Sequence, residues 1–153
     1  MVMVLIGLVA LISVPRLENL PNTRAQFAAY RLQSDLRYAQ LLAIESQARV
    51  RSVFDTSAST YQLERETTPG VWTSVVNPAT RQNFTGTLNS GDFAGVTFSQ
   101  ASINGTSTVI FDSLGSPFDA SGNALTEPSQ VDLNSKFRLR FRLATGKIDI
   151  LAL

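Results

Sequence analysis

Met1–Val14 is an apolar run without a single charge, and it stops at Pro15-Arg16. No other stretch constrains the fold as strongly. A helix that is apolar on every face must be surrounded by lipid or by protein. Three settings meet that requirement. A secretory signal peptide carries a basic stretch ahead of its apolar core and a small-residue cleavage site; here no charge precedes the run, and SVPRLENLP is a poor cleavage site. A buried core helix needs enclosing protein, and the rest of the chain looks too small to supply it. The third setting is a membrane or filament-core helix, and it is the one adopted here. Fourteen helical residues rise about 21 Å, against a hydrocarbon core of roughly 30 Å. About six or seven residues upstream would complete a span, because Pro15-Arg16 closes the run on its other side. The expected core-forming positions are Met1, Val2, Met3, Val4, Leu5, Ile6, Leu8, Val9, Leu11, Ile12, Val14 and Pro15.

Composition removes most chemistry. Among 153 residues there is no cysteine and no histidine. Disulfides, thiol nucleophiles and thiolate metal sites are therefore excluded, together with the commonest general base and metal ligand. No catalytic residue, metal or cofactor is assigned, and the chain is read as a non-enzyme. The 13 Lys and Arg balance 12 Asp and Glu to a net +1, so the overall charge points to no polyanionic partner.

Three zones follow one another: the apolar segment (1–22), an amphipathic helix (23–51) and a globular β domain (52–153). Thr23 and Gln26 have capping-box spacing, which predicts a helix start at Thr23. Ala25, Ala28, Ala29, Leu32, Leu36, Ala39 and Ala43 recur at helical spacing and predict a core-facing stripe. A second stripe carries Phe27, Tyr30, Tyr38, Leu41 and Leu42. A surface helix usually has one apolar stripe, so Phe27, Tyr30, Tyr38 and Leu41 are read as a face for neighbouring subunits. From Ser52 onward, short alternating runs separated by Gly, Asn, Asp, Ser and Pro predict six to eight strands, mostly antiparallel because the links are short. A Pro69-Gly70 turn should join 59–66 to 69–75 as a hairpin, and 144–146 should join the two closing runs. Thr80–Phe93 reads as a long loop or weak strands. The fold class is α+β, a long helix packed on a mostly antiparallel β domain.

This order of parts resembles the type IV pilin superfamily. In that family an apolar run from a Phe or Met start, with Glu at the fifth position, continues to a kinking proline. VMVLIGLVALISVP matches the run, and Pro15 matches the proline. The initial Phe, the Glu and the basic leader have no counterpart, so the alignment implies about seven missing mature residues. Leu32, Asp35, Leu36, Arg37, Ala39, Ala43 and Ile44 are similar to the helix-to-strand junction of H-type minor pseudopilins and related minor pilins. VIFDSLGSP and FRLRFRLATGKIDI resemble that branch's later strands and turns. The resemblance implies a structural minor subunit of a periplasmic pseudopilus or type IV pilus, active in secretion or pilus biogenesis. It also implies single-pass anchoring in the bacterial inner membrane with the β domain in the periplasm. Implied partners are other pilins or pseudopilins, the inner membrane and an assembly platform.

Lys136, Arg138, Arg140 and Arg142 alternate with Phe137, Leu139, Phe141 and Leu143. Period two places four cations on one face of a strand. The simpler reading is a solvated outer face. The sharper one is a phosphate-binding stripe, which would make the chain a DNA-binding minor pilin of an uptake system. A further alternative is a soluble β-rich binding domain with a tethering helix. Asp112, Asp119 and Asp132 are metal or acid–base candidates by residue type; Asp112 and Asp119 flank Gly/Ser/Pro turns, where Asp bonds the local backbone.

Overall fold

The computed structural model describes residues 20–143 and 145–153. The apolar run through Val14, Pro15 and the turn residue Ala144 lie outside the described residues. Among those described, no helix is long and apolar enough to cross a membrane.

Helix α1 spans Leu20–Ser46, about 40 Å at 1.5 Å per residue. Thr23 is therefore inside the helix and not at its start, which corrects the capping-box reading. Pro21 does not prevent this, because its fixed φ is itself helical. At the other end the Ser46 hydroxyl donates to the Leu42 carbonyl at 2.6 Å. Gln47 then takes a left-handed φ of 51°, and this reversal turns the chain into the first strand.

Among the described residues ten strands follow: β1 (Val50–Asp55), β2 (Thr60–Thr68), β3 (Val71–Ser74), β4 (Thr85–Thr87), β5 (Phe98–Ser102), β6 (Thr108–Phe111), β7 (Pro117–Phe118), β8 (Gln130–Leu133), β9 (Phe137–Phe141) and β10 (Ile148–Ala152). They form two antiparallel sheets, one ordered β3-β2-β1-β6-β7 with β4 also paired to β2, the other ordered β10-β9-β8-β5. The expected hairpins β2–β3 and β9–β10 are both present. The count exceeds the expected six to eight because β4, β7 and β8 are two to four residues long. Such short pieces show no readable alternation, and tertiary pairing alone makes them strands.

The helix lies across both sheets, against β1 and β6 of the first and β9 and β10 of the second. Its core stripe is the one expected: Ala25, Ala28, Ala29, Leu32, Leu36, Ala39 and Ala43 are each 0% exposed. Five of these are alanines, so the helix backbone can approach the sheets closely. Behind it Phe54 packs edge-on to Phe98 at 5.7 Å, and Tyr61 to Phe98 at 6.3 Å. These contacts join β1 and β2 to β5, and so stitch the two sheets together.

Candidate subunit-contact face

The side of α1 away from the core carries Phe27, Tyr30 and Leu41 at 62%, 52% and 63% exposure, with Ile44 at 40%. Positions 27, 30, 34, 37, 41 and 44 alternate by three and four residues, the spacing of a coiled-coil seam. Ser34 and Arg37 fill its middle and are exposed. Tyr38 departs from the expected stripe. Its ring stacks on Phe84 at 5.5 Å and 17°, so it faces partly inward. Ile44 was not among the expected contact residues, although its place three positions after Leu41 puts it on the same face.

Polar bonds add to the buried apolar stripe in holding this helix in place. Asp35 falls on the buried stripe between Leu32 and Ala39, and it is only 7% exposed. The Tyr61 hydroxyl from β2 donates to its Oδ2 at 2.5 Å, and Arg31 Nε donates to Oδ1 and Oδ2 at 3.2 and 3.0 Å. Burial, reinforced by the Asp35 carboxylate, pushes the Tyr61 phenol well above its ordinary 10.0. The hydrogen bond to Asp35 likewise raises the Arg31 guanidinium. Gly86 on β4 makes room for the Tyr61 ring: a Cβ there would stand 2.0–2.4 Å from its atoms. Two glutamines complete the docking. Gln33 Nε2 donates to the Ile148 carbonyl of β10, and Gln40 Nε2 to the Gly115 carbonyl after β6, each at 2.7 Å.

The basic run is centred on β9, with Lys136 and Arg142 just outside the strand. Leu139 and Phe141 face the core at 0% exposure, while Leu143 is 39% exposed because the strand has ended before it. Arg138 donates to Asp132 of β8 in a two-pronged pair, both contacts at 2.8 Å. Arg142 pairs with Asp149 of β10 at 2.7 Å, and Lys147 joins the same carboxylate at 3.0 Å. The hydrogen bond from Arg142 is the main cause holding the Asp149 carboxyl below its usual range. Two of the four cations on the run are thus committed to carboxylates of adjacent strands. The alternation that predicted a cationic face could not reveal this, because Asp132 and Asp149 belong to other strands.

Asp112 and Asp119 organise turns. Asp112 Oδ1 accepts from the Leu114 and Ser116 amides at 2.9 and 2.8 Å. Asp119 Oδ1 accepts from the Ser121 and Asn123 amides at 2.8 and 2.9 Å. The Asn104 side chain, donating to Asp119 Oδ2 at 3.0 Å, leads the bonds that hold this carboxyl below its ordinary range. Among the described residues, no group of three or more His, Cys, Asp or Glu side chains is placed to hold a metal ion.

On the outer face of the first sheet, Glu64 pairs with Arg51 at 2.6 Å, and Glu66 takes both prongs of Arg49. Arg51 lies over the Trp72 ring at 4.4 Å. That face is neutralised pair by pair across β1, β2 and β3.

No curated protein matches the chain by sequence. Two solved structures of the minor pseudopilin EpsH from the type II secretion system of Vibrio cholerae share the fold at 14% identity. One aligns with a TM-score of 0.61 over 85% of this chain and 94% of its own. The other gives 0.60 over 84% and 96%. Residues 28–145 match the family model of the type II transport protein GspH, a stretch that begins within α1 and runs to the β9–β10 turn. The long helix, the two antiparallel sheets it bridges and this family match agree, and the chain belongs to the GspH family, the H-type minor pseudopilins of the type IV pilin-like fold.

Proposed function

We propose that the chain is a structural, non-catalytic minor subunit of a type II secretion pseudopilus, built into the filament through its N-terminal helix. Met1–Val14 would rest in the inner membrane and then move into the filament core, driven by helix packing and removal from water. The β domain would sit in the periplasm and face outward, and the partners would be the other pseudopilins of the filament and its assembly platform. The observation that carries this reading is the exposed apolar seam on α1, with Phe27, Tyr30, Leu41 and Ile44 in coiled-coil spacing. Among the described residues nothing covers this seam, while the other face of the helix is already buried.

Replacing both Phe27 and Leu41 by Glu in the full chain, expressed in cells that make the filament, tests the proposal. Filament incorporation and secretion should fall sharply, while thermal unfolding of the β domain should hardly move. Normal incorporation of the double variant would overturn it.

A further inference from the structure

We infer that the groove between α1 and the overhanging edge of the first sheet docks another filament subunit, which fills it with an aliphatic side chain and offers a carboxylate to Arg65. This rests on the filament-subunit reading and adds to it a second surface with a stated partner chemistry.

The groove arises because α1 packs on β1 and β6, while β2 and β3 continue past the helix. Tyr61 and Leu63 lie on the inner face of β2 and are buried. Arg65, next on that face, is exposed, with Thr73 of β3 opposite it. Between overhang and helix lies a space of about 270 Å³, lined by Tyr38, Leu42, Arg65, Thr73, Val75 and Val76. A dry cavity of roughly 150 Å³ accepts a benzene ring, so one large apolar side chain fits. Val76, one of the lining residues, is 58% exposed. Leu42 of the lining is next in sequence to Leu41 of the helix seam.

Charge selects the occupant. Glu64 and Glu66 flank Arg65 in sequence but point to the opposite face, where Arg51 and Arg49 hold them. No acidic residue lines the groove, and among the described residues Arg65 has no ion pair. A partner covering the groove strips water from this guanidinium, and the cost is met only if the partner brings an opposite charge. A phosphate would satisfy Arg65 but leave the apolar floor empty. The matching ligand is a protein segment with Leu, Ile or Val within a helical turn of Asp or Glu.

Pairwise co-expression of the full chain with each other subunit of its filament, then detergent extraction and co-purification, tests this. The wild-type chain should retain at least one subunit. Arg65→Glu and Thr73→Trp should each lower that retention at least about tenfold with melting temperature unchanged. A carboxylate-to-lysine change in the partner should restore binding to the Arg65→Glu chain. Wild-type retention by both variants would overturn the groove and leave the filament reading standing. Retention of no subunit by the wild-type chain would overturn both.

Discussion

Tyr61 and Asp35 tie α1 to β2 through a buried hydrogen bond. Removing the hydroxyl with Tyr61→Phe takes away one of Asp35's donors while Arg31 remains, and should cost about 1–3 kcal/mol in chemical denaturation. The pH dependence has a definite sign. The folded-state phenol titrates above its ordinary 10.0, so its contribution is fully present below that value and is lost as pH rises through the unfolded and then the folded value. Wild type should therefore lose stability more steeply than Tyr61→Phe as pH rises above 10.0, a difference read from denaturation midpoints. Gly86 belongs to the same contact. Gly86→Ala would set a methyl 2.0 Å from the Tyr61 ring and should destabilise by about 1–3 kcal/mol or displace the ring. Paired with Tyr61→Ala, which empties that space, the Gly86→Ala cost should largely vanish in a double-mutant cycle.

At the scale of elements, β9 is held by its neighbours more than by its own alternation. Arg138 neutralises Asp132, which is 5% exposed. Arg138→Ala leaves that carboxylate nearly dry and unpaired and should cost about 1–3 kcal/mol, less than a fully buried pair because the guanidinium itself is partly wet. Arg140→Ala, two residues on, breaks no ion pair in the described residues and should fall within about 0.5 kcal/mol. Thermal melts of the two variants side by side give the contrast; equal effects would mean that the Asp132 pair contributes no stability. The turn between β9 and β10 shows the same dependence on a neighbour. Gly146 has a φ of 62°, and a Cβ there would come 2.5 Å from Gln40 Nε2. Gly146→Ala should therefore loosen α1 as well as strain the turn, with a loss of about 1–3 kcal/mol.

For the whole molecule, one helix serves two masters on opposite faces. Its alanine face closes the core across both sheets, and its Phe27–Ile44 face is exposed, the face proposed above to meet another chain. This separation makes the Phe27→Glu, Leu41→Glu variant informative, since it changes the exposed face without touching any residue of the buried stripe. A drop in melting temperature of more than about 4 °C would show that the exposed face also supports the fold, and would weaken the assignment of that face to a partner.

Local pattern determined much of this protein by itself. The alanine stripe, the β2–β3 and β9–β10 hairpins and the α+β class all follow from spacing within one element, because a helix repeats every 3.6 residues and a strand every two. The length and charge-free character of Met1–Val14 are likewise properties of the sequence alone. Tertiary structure decided the rest. Gln130–Leu133 becomes a strand only because β5 and β9 flank it. Asp35 sits as a polar residue on the apolar stripe, and one of its donors, Tyr61, comes from 26 residues away. Arg65 and Arg138 are alike as isolated strand cations. Which of them stays unpaired depends on the carboxylates that neighbouring strands bring within about 4 Å, a distance that sequence spacing does not encode.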